Sequence, residues 1–349
     1  MSGGSALFRR FPRLEGRIAW TPLGRFPTPV QELPVGGGHA WIKRDDLSGE
    51  EYGGNKVRKL EFLLADARQA GASRLVTAGA MGSHHALATA VYARRLGLEA
   101  TLVLFPQPLT PHARRVLLTD VALGAELRFT RRMEFVPGAL LAARWAHRRE
   151  GAYAVAPGGS DARGTLGYVA AALELAEQVA AGEAPRPEVV HVAAGTLGTA
   201  AGLAIGLALA GLDTTVAATR ITGRIVTNER TLARLVRGAL ALLEPGGVRL
   251  DPAEALRRVE LRHGQIGAGY GQETEAGRRA TSLFEEVGLR LDPTYTAKAA
   301  AELLADPPGP ERPTLFWHTL SATEPALRAP EAELEARLPE PFRRWLRGD

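Results

Sequence analysis

Lysine is scarce in this chain, and its scarcity marks where chemistry can be sought. Four of the 43 basic residues are lysine: Lys43, Lys56, Lys59 and Lys298. The remaining cations are arginines, whose guanidinium stays protonated and can neither form an imine nor shuttle a proton. A lysine with a lowered pKa can do both. Lys56 and Lys59 fall together in Gly53-Gly54-Asn55-Lys56-Val57-Arg58-Lys59. Two glycines let backbone approach a ligand closely. Lys56 also stands at the start of a helical pattern, where the helix's positive end disfavours a further positive charge. The competing reading of Lys56 is an exposed surface lysine.

Two further loops carry suitable groups. Ala194-Gly195-Thr196-Leu197-Gly198-Thr199 follows an apolar strand pattern and opens a helix. Several N–H groups and a helix N-terminus then converge, which suits a phosphate. The loop is neither G-x-G-x-x-G nor Gly-Lys-Ser/Thr; its competing reading is a tight packing turn. Ser83-His84-His85 begins another helix, where N–H groups and the Ser83 hydroxyl suit a carboxylate. A plain N-cap and a two-histidine metal site are the alternatives. Adjacent histidines face different sides of a helix, which disfavours shared metal binding. Phosphate cradle, activatable lysine and carboxylate anchor together are what pyridoxal phosphate needs from a protein.

The elements that must position these loops alternate. Helical periodicity covers Val57 to Gly71, Ser83 to Arg95, Pro111 to Leu123, Gly138 to Arg149, Gly164 to Ala181, the turn after Ala194 to Ala210, Thr274 to Val287 and Tyr295 to Ala305. Strand patterns cover Arg74–Gly79, Leu98–Phe105, Ala125–Thr130, Ala152–Ala156, Glu188–Ala194, Thr214–Thr219 and Thr314–His318. Such alternation predicts an α/β fold with parallel sheets covered by helices, and ligands beyond the carboxyl ends of the strands. The Pro-rich stretch Glu183–Pro187 is the best boundary signal, and Ala329 to Asp349 reads as a surface helix.

Composition excludes several classes. With 349 residues, 45% hydrophobic and 23% charged, the chain is an ordinary globular one of about two domains. Cysteine is absent, which removes disulfides, thiolate nucleophiles and Cys-type metal sites. No H-E-x-x-H occurs, so no metal is expected. No apolar run reaches the length of a membrane span and no export signal stands at Met1 to Arg13, so a cytoplasmic protein without membrane contact is expected. The net charge is +5, but the arginines are dispersed and no nucleic-acid motif accompanies them, so nucleic acid is not an expected partner.

Taken together, these segments resemble one family. Gly53 to Glu61 (GGNKVRKLE) is similar to the signature of the D-cysteine desulfhydrase and 1-aminocyclopropane-1-carboxylate deaminase family, fold-type II pyridoxal-phosphate enzymes related to the tryptophan synthase β subunit. Lys43-Arg44-Asp45-Asp46-Leu47 resembles its KRDDL. Gly158-Gly159-Ser160 with Gly164 to Tyr168 resembles GGSN…LGY, and Gly269-Tyr270-Gly271 resembles GYG. Leu291 to Thr296 resembles LDPVYT, and His318-Thr319 resembles the start of HTGG. The resemblance spans roughly residues 20 to 325.

It implies a two-domain fold, each domain an open twisted mostly parallel sheet covered by helices. The large cofactor-binding domain would take 1–58 and 166–349, the small one 59–165. It implies pyridoxal 5'-phosphate held by Asn55, Lys56, His84, Thr319 and Ala194, Gly195, Thr196, Leu197, Gly198 and Thr199. Lys56 would carry the cofactor and move the α-proton, with Ser83, Tyr270 and Tyr295 also catalytic. Ser83, His84, His85, Tyr270 and Tyr295 would face a small amino-acid substrate, and Thr319 the pyridine nitrogen. The implied reaction is elimination from D-cysteine to pyruvate, ammonia and sulfide, in a homodimer. The cyclopropane deaminases carry Glu and Leu where this chain has Thr296 and Thr319, and His85 also suits the desulfhydrases. His84 for Asn, Asp161 for Asn and Leu320-Ser321 for Gly-Gly depart from the pattern. Three alternatives stand beside this reading: a deaminase of cyclopropane or other β-substituted amino acids, a non-catalytic cofactor-binding relative, and a nucleotide-binding oxidoreductase. The last expects an acidic residue after the strand Thr214–Thr219, where Arg220 stands.

Overall fold

Ten short segments form strands among residues 4–35, 38–306 and 312–348, which the computed structural model describes. They are β1 (Val30–Val35), β2 (Gly38–Lys43), β3 (Arg74–Ala80), β4 (Glu99–Phe105), β5 (Glu126–Phe129), β6 (Ala152–Ala154), β7 (Val189–Ala194), β8 (Thr215–Arg220), β9 (Val259–Arg262) and β10 (Thr314–Trp317). Two sheets result, in the orders β1-β2-β10-β7-β8-β9 and β5-β4-β3-β6. All pairings are parallel except β1 with β2. β1 contains Pro34 and lies at a sheet edge, where a residue without an N–H is tolerated. The α/β expectation holds, and the antiparallel β1 is why the larger sheet is mostly rather than wholly parallel.

The chain divides into two compact units, Met1–Phe62 with Ser160–Thr323, and Leu63–Gly159 with Glu324–Asp349. In the first, helices Ala162–Ala180 and Gly198–Leu209 cover one face of the six-stranded sheet. Gly202 and Gly206 let these helices approach closely, since a Cβ on Gly202 would stand 2.5 Å from the Thr165 carbonyl oxygen. Helices Glu275–Glu286 and Thr296–Ala305 cover the other face around Phe284 and Phe316. The stretch Glu183–Pro187 lies inside this unit, linking helix Ala162–Ala180 to β7.

The second unit surrounds the four-stranded sheet. Helix His84–Arg95 is rich in small residues, and buries His85 through Ala93. The tail joins this unit, where the sequence reading placed it with the large domain. It forms two helices, Glu331–Ala336 and Glu340–Arg347, rather than one. Phe342 meets Phe129 edge-on at 5.8 Å, and Trp345 Nε1 donates to the Gln107 carbonyl at 2.8 Å. The apolar spacing taken for a surface helix is the seam that seats the tail. Among the described residues, no helix is long and apolar enough to cross a membrane.

Candidate active site

Lys56 is the second residue of helix Asn55–Gln69. The turn before it is tight. Gly54 has φ +82°, and a Cβ there would lie 2.5 Å from the Thr319 carbonyl oxygen. Asn55 N donates to that same oxygen at 3.2 Å, and Gly53 N donates to Ser321 Oγ at 2.7 Å. The lysine-bearing turn is thereby tied to residues 319–321. Lys56 Nζ donates to Asn55 Oδ1 at 2.9 Å, and Asn55 Nδ2 to Thr199 Oγ1 at 3.2 Å. Asn55 thus links the amine to the Ala194–Thr199 loop. Burial lowers the Lys56 amine to about 8, with Asp292 opposing the shift. The surface-lysine reading fails on this environment.

The Ala194–Thr199 loop has the form of an anion cradle. Leu197 is the one non-glycine residue of positive φ among those described, at +66°. A left-handed residue in such a turn directs successive N–H groups to one side, forming a nest. The 12-residue helix Gly198–Leu209 starts there. Thr227 Oγ1 donates to the Gly195 carbonyl at 2.6 Å, turning that oxygen away into the protein. Ser160 Oγ lies 2.6 Å from Thr196 Oγ1 and accepts from Gly198 N at 3.3 Å. Lys59 Nζ donates to the same Ser160 oxygen at 3.1 Å. A Cβ on Gly198 would stand 2.6 Å from Ser160 Oγ and 2.9 Å from Lys59 Nζ, so the cradle requires glycine. Burial, then the like charge of Lys56, holds the Lys59 amine well below its ordinary pKa. An anion placed here offsets that cost. These groups fit the phosphate of a pyridoxal cofactor.

Tyr270 and Tyr295 meet: the hydroxyls are 2.7 Å apart and the rings edge-on at 6.1 Å. Burial raises the Tyr270 hydroxyl to about 12 and holds Tyr295 well above its ordinary value, so the pair is neutral at physiological pH. Asp292 accepts from the backbone N–H of Thr294, Tyr295 and Thr296 and from Thr296 Oγ1, holding the turn that leads into helix Thr296–Ala305 and fixing Tyr295 in place.

Beneath the lysine-bearing helix lies a buried ionic network. Arg58 donates to both Asp45 and Glu174, and Lys43 Nζ donates to Glu174 Oε1 at 2.6 Å and to the Thr28 carbonyl at 2.7 Å. Tyr168 and Trp317 also donate to Asp45 Oδ2. Burial pushes both carboxyls up, but the Arg58 and Lys43 charges outweigh it and keep them ionised. Lys43 and Asp45 of KRDDL therefore anchor the helix that carries Lys56, through Arg58 and Glu174.

Two of the three departures from the family pattern have local explanations. Asp161 caps helix Ala162–Ala180 by accepting from Gly164 N at 2.8 Å, a role Asn fills equally well. Ser321 holds Gly53 and donates to the Thr323 carbonyl at 2.8 Å.

In the second unit, Ser83 Oγ accepts from Ala86 N at 3.2 Å as the N-cap. The Thr77 hydroxyl donates to the Val155 carbonyl at 3.0 Å, so it must accept from His85 Nε2 at 2.9 Å. His85 is thereby fixed with its proton on Nε2. His84 stacks on His112, ring centroids 4.7 Å apart. The adjacent histidines do diverge, as helix geometry requires.

Sequence reading assigned no role to Lys59, Ser160, Thr227, Asp292 or Lys298. The scarcity of lysine was the available signal for Lys59 and Lys298. Nothing in the sequence marked Thr227.

The family described as pyridoxal-phosphate dependent enzyme matches residues 15–319. A nocardicin C-9' epimerase of Nocardia uniformis subsp. tsuyamanensis is 38% identical over 325 residues, 88% of this chain and 94% of the relative. A D-cysteine desulfhydrase of Salmonella choleraesuis (strain SC-B67) is 37% identical over 337 residues, 92% and 96% of the two chains. Among solved structures, an ACC deaminase homologue is similar with TM-score 0.75 and 30% identity, over 94% of this chain and 99% of that one. An O-ureido-L-serine synthase, TM-score 0.61 and 16% identical over 97% of each chain, shares the fold.

Proposed function

From the premise that this chain belongs to the pyridoxal-phosphate dependent enzyme family, in its ACC deaminase and D-cysteine desulfhydrase group, we propose that it eliminates the β-substituent of a small amino acid, D-cysteine foremost. Pyridoxal phosphate is its cofactor. Lys56, an amine lowered to about 8 beside an anion cradle, is the observation that carries the reading. When bound, the cofactor delocalises negative charge arising at the substrate α-carbon. The chain's own residues do the rest. The nest at Thr196–Thr199, Ser160 and Lys59 hold the phosphate. Thr319 offers a hydroxyl, not a carboxylate, to the ring nitrogen, so that nitrogen is not held protonated. Lys56 Nζ receives the α-proton. Tyr270 and Tyr295, neutral and linked at 2.7 Å, supply a proton where the leaving sulfur gains charge. In the other unit, Ser83, whose oxygen accepts from Ala86 N, is the proposed partner of the substrate carboxylate, with His84 and His85 beside it in sequence.

Thr296 and Thr319 favour this reading over cyclopropane ring opening, since the deaminases resembled above carry Glu and Leu there. The 38% identity to an epimerase supports a second reading, inversion at the α-carbon. Both readings use Lys56, and products separate them. The purified protein, incubated with D-cysteine, L-cysteine, D-serine and 1-aminocyclopropane-1-carboxylate, is expected to give a keto acid, ammonia and, from D-cysteine, sulfide. Inversion of the amino acid in deuterated water with no keto acid would instead establish the epimerase. Borohydride reduction should fix the cofactor label on Lys56, and Lys56→Ala should abolish both label and turnover. A label on another residue refutes the assignment.

A further inference from the structure

Lys298 is fully buried on helix Thr296–Ala305, and nothing above uses it. Its Nζ donates to two backbone carbonyls of one segment, Ile266 at 2.8 Å and Gly269 at 3.2 Å. That segment lies between β9 and helix Glu275–Glu286 and has no regular structure. Its glycines 267, 269 and 271 all have positive φ, at +60°, +138° and +75°. Such a glycine-rich segment has many alternative conformations, so its shape must be imposed from outside. Tyr270 stands in it, immediately after a carbonyl that Lys298 holds. Tyr295 stands three residues before Lys298 on the opposing element. A single stretch, Asp292–Lys298, therefore fixes one tyrosine by the Asp292 carboxylate and the other by the Lys298 ammonium.

We infer that Lys298 is a positioning residue for Tyr270, clamping the 264–271 segment so that the two tyrosine hydroxyls meet. The choice of residue fits the task. The reach is from a helix interior to two carbonyls on one turn, which a compact ammonium on a flexible stem satisfies and a planar guanidinium does not. Burial makes the ammonium costly unless those carbonyls stay in contact, so the clamp and the segment's shape are mutually dependent. Lys298 is one of only four lysines among the chain's 43 basic residues.

The inference rests on the proposed function for the meaning of Tyr270, and its test separates the two. Lys298→Met, Tyr270→Phe and the double variant are compared with the wild-type holoenzyme. Hydrogen exchange should accelerate in peptides spanning 264–271 in Lys298→Met, with the six-stranded sheet unchanged. The kcat should fall about 10- to 100-fold, as expected for a displaced reacting group. Tyr270→Phe should fall similarly, and the double variant no further. Lys298→Gln, which keeps a shorter N–H donor, should recover part of kcat and remains informative if the methionine variant does not fold. Unchanged exchange in 264–271, losses that multiply in the double variant, or a fully active Tyr270→Phe would each overturn the clamp. Absence of a cofactor label on Lys56 in the wild type would instead strike the proposed function, while the exchange data still report on the segment.

Discussion

A buried amine is a nucleophile in proportion to how often it lacks its proton. At pH 7 an amine of pKa about 8 is free in about one molecule in ten, against roughly one in three thousand for an unperturbed lysine. Protonation removes the nucleophile, so reloading of the apoenzyme with pyridoxal phosphate should accelerate as pH rises through about 8 and level off above it. Stopped-flow absorbance at several pH values checks this, and a rate flat from pH 6.5 to 9 contradicts it. Lys59 is a different case, a buried amine whose charge is disfavoured until an anion in the cradle offsets the cost. Lys59→Met should weaken cofactor affinity by about tenfold or more, the worth of one charge-assisted hydrogen bond. Fluorescence titration of the apoenzyme measures it. Both lysines were visible in the sequence as exceptions to arginine, but their different roles were not. That distinction depends on which amine meets Asn55 and which meets Ser160, and Ser160 is 101 residues away.

At the scale of elements, helix Pro111–Ala122 carries a liability. Asp120 is buried with both carboxylate oxygens lacking a hydrogen-bond partner, and burial pushes its carboxyl well above the ordinary value. A carboxyl raised in the folded state binds its proton more tightly there than in the unfolded chain. Its contribution is therefore greatest below the unfolded pKa near 3.8 and is lost as pH climbs toward the folded value. Asp120→Asn should be little different from wild type near pH 4 and increasingly more stable above it, by up to about 1.4 kcal/mol per pH unit. Paired melting curves from pH 4 to 8 test this. The same scale shows what sequence patterns can and cannot give. Helices with one apolar stripe and a capping residue were legible, as were the parallel strands that read as continuous apolar runs. The hairpin β1–β2 was not, because Pro34 breaks its pattern and the strand buries one side at Leu33 and Val35 alone. β9 is four residues, none fully buried, and offers no period to read. Helix Glu229–Leu243 is legible by the same rule, since Leu232, Leu235, Val236, Ala239 and Leu243 repeat at helical spacing behind the cap Asn228. The cradle's position was legible from its glycines. Its conformation was not, since Leu197 in the left-handed region is a tertiary consequence that a leucine does not announce.

Across the whole molecule, the first unit depends on charges that water never reaches. Arg58, Asp45, Glu174 and Lys43 are all nearly inaccessible. Removing one partner strands the others, so Arg58→Met should cost about 3–5 kcal/mol in urea denaturation. A loss below about 1 kcal/mol would show that the network is not the anchor described. The second unit has a different dependence, on chain order. Residues 63–159 emerge from the ribosome well before 331–347, yet Leu334, Leu338 and Phe342 are buried with them. That half therefore completes its core only when residues 331–347 are present. A chain broken before residue 331 would widen the apolar surface around Phe129, already partly open in the finished fold, and offer a holding chaperone a larger grip.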